Sequence, residues 1–446
     1  MRRSDGVRRT VALETLGCKV NQYESSYLLQ TLEEASYRTV SFRDRADVYI
    51  VHSCAVTSKA AFQTRQLLRR ARRINPQALI VAAGCDAQLE PDRLAAEQLA
   101  THILGTAEKF RIVEWLKSPG SFANPRCAHS DSRLYGDCHL LPTTHMHSGR
   151  ARAYLKVQDG CDAYCSYCVV PFTRGRSRSL PADEVRAQMG RFVDHHYSEV
   201  VLTGIHLGQW GKDFNPPRSL PHLLQLLSEG PLPPRLRLSS LEPIECNEAL
   251  LDVLSASSRI CPHFHVPLQS GDREVLERMR RPYTPAHYAE VIGHLRALFP
   301  DAALGADVLV GFPGETESQF QNTCQLISRL PLTYLHVFPF SPRPGTAADR
   351  LPGRIAGNEL RRRAKALRDL DVQKRTAFRE RFLGRWMEVL VETQVEPGWW
   401  QGTSPNYLQI RFPGTRQLTR GSLIHVRPTR KDRKGLVADQ PPAIPS

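Results

Sequence analysis

No apolar run in this 446-residue chain is long enough to span a bilayer, which argues against a protein embedded in a membrane. Its first ten residues hold four arginines and lack the apolar stretch of a secretory signal, so a cytoplasmic protein is expected. Its 11 cysteines are then not expected to pair as disulfides. Acidic side chains are scarce: 45 Asp and Glu stand against 60 Lys and Arg, a formal charge of +15. Such a surface attracts polyanions, nucleic acid foremost. The 41% hydrophobic content and the length suffice for real cores in two or three domains.

Cys161, Cys165 and Cys168 stand in Val157-Gln-Asp-Gly-Cys-Asp-Ala-Tyr-Cys-Ser-Tyr-Cys-Val-Val-Pro171. A cubic iron-sulfur cluster needs four ligands, and a Cys-x3-Cys-x2-Cys loop supplies three, leaving one iron open to a small molecule. Zinc usually takes two separated Cys-x2-Cys or Cys/His pairs. No second pair lies nearby, and Asp162, Tyr164 and Tyr167 are poor fourth ligands. Unrelated thiols remain the bland alternative; the spacing favours a cluster.

Residues 9–118 read as a domain of alternating strands and helices, with apolar runs at 11–16, 48–51 and 78–83. Each run ends at a cysteine: Cys18, Cys54 and Cys85. The carboxyl ends of parallel strands share one sheet edge, so the three are expected to converge there and to form a second three-thiolate set. Taken singly, each would read as a small buried hydrophobe. Residues 119–148, rich in Pro, Ser, His and Gly, read as a linker. Within it Cys127 and Cys138, with His129, His139, His145 and His147, lack a metal spacing.

Residues 149–380 show six strand-like runs, at 153–157, 199–203, 235–239, 263–266, 306–310 and 334–338, separated by helical stretches. Six βα units fit a partial barrel with ligands at the strands' carboxyl ends. Gly204 and Gly311 lie at such ends and are candidates for close approach of a bound cofactor, with a plain turn as the alternative. Glu315 is a candidate contact or a solvated side chain, and Cys246, Cys261 and Cys324 read as structural. Arg174, Arg176 and Arg178 follow the cysteine loop directly and are candidates to hold RNA phosphates. The basic run at 359–381 reads mostly as a solvated helix. Residues 381–446 carry short strands, as in a small β-barrel, with Trp399, Trp400 and Tyr407 either stacking on bases or packing a core.

A cysteine triad after the first strand of a six-unit barrel resembles the radical S-adenosylmethionine superfamily. With Cys18, Cys54 and Cys85 upstream, the chain is similar to its methylthiotransferases over nearly its whole length. Thr15-Leu-Gly-Cys-Lys-Val-Asn-Gln-Tyr-Glu-Ser25 and Asp159-Gly-Cys-Asp-Ala-Tyr-Cys-Ser-Tyr-Cys168 resemble the MtaB type, and His265-Val-Pro-Leu-Gln-Ser-Gly271 and Asp307-Val-Leu-Val-Gly-Phe-Pro-Gly-Glu-Thr316 resemble sequence of the methylthiotransferase family more widely. The resemblance implies an α/β protein: a flavodoxin-like parallel-sheet domain, a partial (β/α)6 radical barrel and a small C-terminal β-barrel of the RNA-binding TRAM kind. It implies two 4Fe-4S clusters and S-adenosylmethionine. Cys161, Cys165 and Cys168 would carry the cluster that binds S-adenosylmethionine, and Cys18, Cys54 and Cys85 the auxiliary one. The activity implied is transfer of a methylthio group to adenine C2 of N6-threonylcarbamoyladenosine beside the tRNA anticodon. Related types act on isopentenyladenosine in tRNA or on a ribosomal protein, and a non-catalytic iron-sulfur RNA-binding protein is the remaining alternative. A tRNA substrate, an electron donor such as flavodoxin or ferredoxin, no membrane and a monomer are expected. His52, where the family usually has Asn, and Pro267 depart from the pattern without removing a predicted ligand.

Overall fold

The computed structural model describes residues 8–117, 120–130, 150–414 and 418–443. Chain contacts divide the protein into two compact units. One holds residues 1–148, 158–178 and 341–349; the other holds 149–157, 179–340 and 350–446.

The first unit is built on a parallel sheet. In chain order its elements are β1 (Thr10–Thr15), α1 (Lys19–Glu34), β2 (Arg38–Thr39), β3 (Val48–Ser53), α2 (Ser58–Ile74), β4 (Leu79–Gly84), α3 (Cys85–Leu89), α4 (Pro91–Ala96), β5 (His102–Leu104), α5 (Ile112–Leu116) and β6 (Arg126–Ala128). The strand order is β2-β1-β3-β4-β5-β6, every neighbouring pair parallel. The first five strands follow the 2-1-3-4-5 order of flavodoxin-like folds. Every residue of β3 is buried, as expected of a central strand covered on both faces. Helix α2 turns Ala61, Thr64, Leu68 and Ala71 inward at helical spacing, and the Thr57 hydroxyl caps it by accepting from the Ala60 amide. Expecting 119–148 to be linker throughout is corrected at one point. Residues Arg126–Ala128, Cys127 among them, form the sixth strand, because their backbone pairs with β5 whatever their side-chain character. Cys138, His139, His145 and His147 lie outside the described residues.

The barrel strands are β7 (Ala153–Asp159), β9 (Glu199–Gly204), β10 (Arg235–Leu238), β11 (His263–His265), β12 (Ala303–Val310) and β13 (Tyr334–Pro339). With the short β8 (Arg178–Ser179) they form sheets of order β10-β9-β7-β8 and β11-β12-β13. The helices between them are α6 (Val170–Arg174), α7 (Ala182–Asp194), α8 (Leu220–Ser228), α9 (Glu248–Ala256), α10 (Arg273–Arg278), α11 (Pro285–Leu298) and α12 (Glu317–Arg329), and α13 (Gly357–Glu380) follows β13. The C-terminal strands β14 (Met387–Glu396), β15 (Trp399–Thr403), β16 (Gln409–Pro413), β17 (Leu423–Val426), β18 (Arg430–Lys431) and β19 (Leu436–Val437) make a six-stranded, mainly antiparallel sheet. Its core, with Val389, Ile410, Phe412 and Ile424, is continuous with Ala303 and Tyr334 of the barrel and Phe378 of α13.

A loop between β15 and β16 fixes this sheet to the barrel strands. Its Tyr407 stacks on His263 at 4.2 Å between ring centroids, with the Arg237 guanidinium 5.0 Å from the Tyr407 ring. Arg237 also grips Glu199 through two bonds of 2.7 and 3.1 Å, and Arg152 and Arg235 approach the same carboxylate. Burial alone would raise the Glu199 pKa, but these arginines pull it down to about 2. Tyr407 thus stacks on His263 while remaining 40% exposed. Trp400 packs against the sheet core, and Trp399 lies under Arg411.

Candidate active site

Parallel pairing brings the first three cysteines together. Thr15 pairs with His52, and Ser53 pairs with Gly84, so the chain leaves β1, β3 and β4 at one edge. Cys54 and Cys85 follow β3 and β4 directly, and Cys18 caps the start of α1. Gly17 has φ +103°, and a Cβ there would lie 2.9 Å from Cys54 Cβ and 3.1 Å from its Sγ, so only glycine lets β1 turn this close to the thiol. Burial pushes the Cys54 thiol up to about 12, and the neighbouring Cys85 and Cys18 push the same way. Cys18 is exposed as a residue, yet burial is the largest influence on its thiol and raises it, against the opposing Arg174 charge. Metal ligation there must release protons.

The second set sits in the loop after β7. Gly160, at φ +73°, opens it; a Cβ there would lie 1.9 Å from the Arg176 carbonyl oxygen. The Cys161 amide donates to the Gly175 carbonyl at 3.0 Å and the Cys168 amide to the Cys165 carbonyl at 3.0 Å, folding the loop back on itself. The Ala163 amide points at Cys161 Sγ, 3.5 Å away, a donor suited to a thiolate. Both sets belong to the same compact unit, and Cys85 packs with Ala55 and with Val169, the residue after Cys168. All six cysteines are free thiols, so two sets of three donors stand available to metal.

Between the two sets runs a buried polar network. Arg174, 1% exposed, donates to Glu24 (2.9 and 3.0 Å), to Asp159 (2.9 Å) and to Asn21 Oδ1 (2.7 Å). Lys109 Nζ donates to Glu24 at 2.8 Å. Asn21 spends its amide nitrogen on the carbonyls of Leu16 (2.8 Å) and Ser53 (3.1 Å), and its Oδ1 lies 3.7 Å from Cys18 Sγ. One guanidinium thus ties the chain bearing Cys18 and Cys54 to Asp159, at the entrance to the second loop. Glu24 and Asp159 outweigh burial and raise the Arg174 pKa, whereas burial prevails on Lys109 and lowers it. His52 joins the same network: its Nδ1 is 2.8 Å from Ser25 Oγ and its Nε2 3.5 Å from Glu24.

The phosphate-binding role expected for Arg174 is corrected here, since its donors are consumed by buried acceptors. Arg178 is half-buried and donates to the Arg174 carbonyl at 3.0 Å, while Arg176 is exposed, 3.7 Å from Asp162. Gly204 ends β9. The Gly311 amide donates to Glu315 Oε2 at 2.9 Å, and Glu315, buried rather than solvated, also accepts from Arg363 at 3.0 Å. Burial raises the Glu315 pKa against these partners. Cys246 and Cys261 are buried, which pushes their thiols up to about 12 and about 11.

Two further polar groups lie in the barrel unit. Asp307 Oδ1 faces His265 Nε2 at 3.0 Å and His336 Nδ1 at 3.1 Å, with Ser240 Oγ 2.7 Å from His265 Nδ1. Glu245 takes His206 Nε2 at 2.7 Å. Asn21, Glu24, Asp159, His265 and Asp307 all stood inside the quoted motifs, but spacing marks only the thiols among them.

A model of the uncharacterized protein family UPF0004 matches residues 10–105, and one of the Radical SAM superfamily matches residues 155–327. Among solved structures, the radical S-adenosylmethionine methyltransferase TsrM from Kitasatospora setae gives a TM-score of 0.55 at 17% identity over 77% of each chain, a likeness of fold alone. Fold and domain matches together define a radical S-adenosylmethionine protein. The threonylcarbamoyladenosine tRNA methylthiotransferase MtaB of Thermotoga maritima is 36% identical over 409 residues, 92% of each chain. Its counterpart in Bacillus subtilis is 34% identical over 425 residues, 94% of this chain and 93% of the relative. The tRNA-2-methylthio-N(6)-dimethylallyladenosine synthase of Moorella thermoacetica is 31% identical over 433 residues, 95% of this chain and 96% of the relative. The chain belongs to the MtaB family of radical S-adenosylmethionine methylthiotransferases. That chemistry uses S-adenosylmethionine and two iron-sulfur clusters, and two sets of three free thiols fit the demand.

Proposed function

We propose that this chain transfers a methylthio group to adenine C2 of N6-threonylcarbamoyladenosine in tRNA, in the cytoplasm, as a monomer supplied with electrons by a flavodoxin or ferredoxin. The observation that carries the substrate is the likeness to MtaB proteins along nearly the full chain, at higher identity than to the dimethylallyladenosine synthases. When bound, the clusters and S-adenosylmethionine supply the radical and the sulfur needed at an unreactive aromatic C–H.

The protein's own residues do the holding and placing. Cys161, Cys165 and Cys168 hold the cluster that takes S-adenosylmethionine, with the Ala163 amide aimed at Cys161 Sγ. Cys18, Cys54 and Cys85 hold the auxiliary cluster. Arg174 and Asn21 fix the two loops to one another and would hold the two cysteine sets in place relative to each other when the clusters are bound. Gly204 and Gly311 remain candidate points of approach for the nucleoside of S-adenosylmethionine, and Arg176 is the member of its arginine run open to phosphate.

The test is nucleoside mass spectrometry of tRNA from a strain lacking this chain and any redundant enzyme. Loss of 2-methylthio-N6-threonylcarbamoyladenosine is expected, with the unmethylthiolated nucleoside accumulating. Its persistence, or loss of the isopentenyl counterpart instead, would overturn the substrate.

A further inference from the structure

Helix α2 of the first unit is charged on one side only. Its 17 residues include Lys59, Arg65, Arg69, Arg70, Arg72 and Arg73 and no carboxylate. A cleft of about 1100 Å³ runs beside it, lined by four of these arginines together with Phe62 and Leu16. One carboxylate, Glu14, lines the cleft with these arginines, and among the described residues the other acidic neighbour of this face is Glu97. Glu97 lies 3.0 Å from Arg69 and 3.7 Å from Arg65, and Arg72 sits over the Phe122 ring and donates to the Gln98 carbonyl. Arg70 and Arg73 have no carboxylate partner among the described residues. Like charges one helical turn apart repel, so the cluster costs the free protein stability that a polyanion would return. Phe62, 49% exposed, offers a ring on the same cleft. Leu16 is two residues before Cys18, so the cleft opens next to chain that carries a candidate cluster ligand.

We infer that the α2 cleft is a docking groove for the backbone of the substrate RNA. Its arginines neutralise phosphates, Phe62 stacks on an unpaired base, and the strand is led along the sheet edge to the cysteines. The inference rests on tRNA being the substrate. It adds a site on the N-terminal unit to any RNA contact made by the C-terminal sheet.

The test uses the full chain and tRNA carrying threonylcarbamoyladenosine, isolated from a strain lacking this protein, with binding followed from about 0.05 to 0.3 M salt. Arg70→Gln combined with Arg73→Gln, if two phosphate contacts are lost, lowers the slope of log K against log salt by about 1.4 and weakens binding roughly 25-fold near 0.1 M salt. Phe62→Ala weakens binding about fivefold or more and leaves the slope unchanged. Lys365→Gln with Arg368→Gln, on exposed α13, removes the same charge and leaves binding within about twofold of the parent. Parental binding by the arginine pair, or an equal loss in the α13 pair, overturns the groove and leaves the substrate reading standing. Failure of the parent chain to bind tRNA overturns both.

Discussion

Replacing Arg174 by Met keeps most of the side-chain volume and deletes the charge at the junction of the two cysteine sets. In the native protein two carboxylates, Glu24 and Asp159, face two cations, Arg174 and Lys109, all 1% exposed or less. Arg174→Met takes from Glu24 and Asp159 the guanidinium that both share, leaving Lys109 on Glu24. Breaking a buried pair in this way costs about 3–5 kcal/mol, because the orphaned charge stays buried. In a unit of this size that is roughly 10 °C of melting temperature. Adding Glu24→Gln leaves one carboxylate and one ammonium, so the double variant should melt above Arg174→Met despite carrying one more substitution. Arg174→Lys keeps the charge but cannot span Glu24, Asp159 and Asn21 at once, and should fall between Arg174→Met and the parent. Scanning fluorimetry of anaerobically reconstituted protein, read with iron content, measures both effects. An Arg174→Met protein melting within about 2 °C of its parent, or a double variant melting below it, would refute the charge accounting.

Reconstituted protein should bind about eight irons per chain, and Cys18→Ala about four, by colorimetric iron assay; unchanged content in the variant would remove Cys18 from the ligands. Gly160→Ala should lose the iron of the second set while the first keeps its own, because the added methyl meets the Arg176 carbonyl oxygen; the same assay on this variant with Cys18→Ala should find almost none. Glu199 is lowered from 4.5 to about 2, so its contribution is fully present above pH 4.5 and is lost as pH falls towards 2. That amounts to about 2 kcal/mol by pH 3, and urea midpoints at pH 6 and pH 3 should drop less in Glu199→Gln than in the parent.

The placement of Cys18, Cys54 and Cys85 at one sheet edge was legible from the chain because strand-end position is written in one dimension. Arg174 was misread for a physical reason: the first arginine of an alternating Arg-Gly-Arg-Ser-Arg run looks solvated, and only tertiary folding sets Glu24 and Asp159 around it. Strand β6 escaped because two or three backbone hydrogen bonds to β5 need no apolar pattern. Tyr407, taken as core or base-stacking, stacks on His263 while itself exposed, a pairing of residues far apart in the chain. The His265–Asp307–His336 group carried no spacing signal, since its members come from three strands.

Arg174 follows Glu24 by 150 residues, and Lys109 follows it by 85. At about 5–20 residues per second of synthesis, Glu24 leaves the ribosome roughly ten to thirty seconds before its guanidinium partner exists. During that interval the N-terminal sheet can pair its strands, but the carboxylate at the root of α1 has no Arg174 to bury against, and Asn21 Oδ1 lacks the guanidinium that donates to it at 2.7 Å. The first three cysteines are made early, yet the pocket that holds them is finished only when the second loop is. The order of translation therefore places completion of the polar network between the two cysteine sets after residue 174.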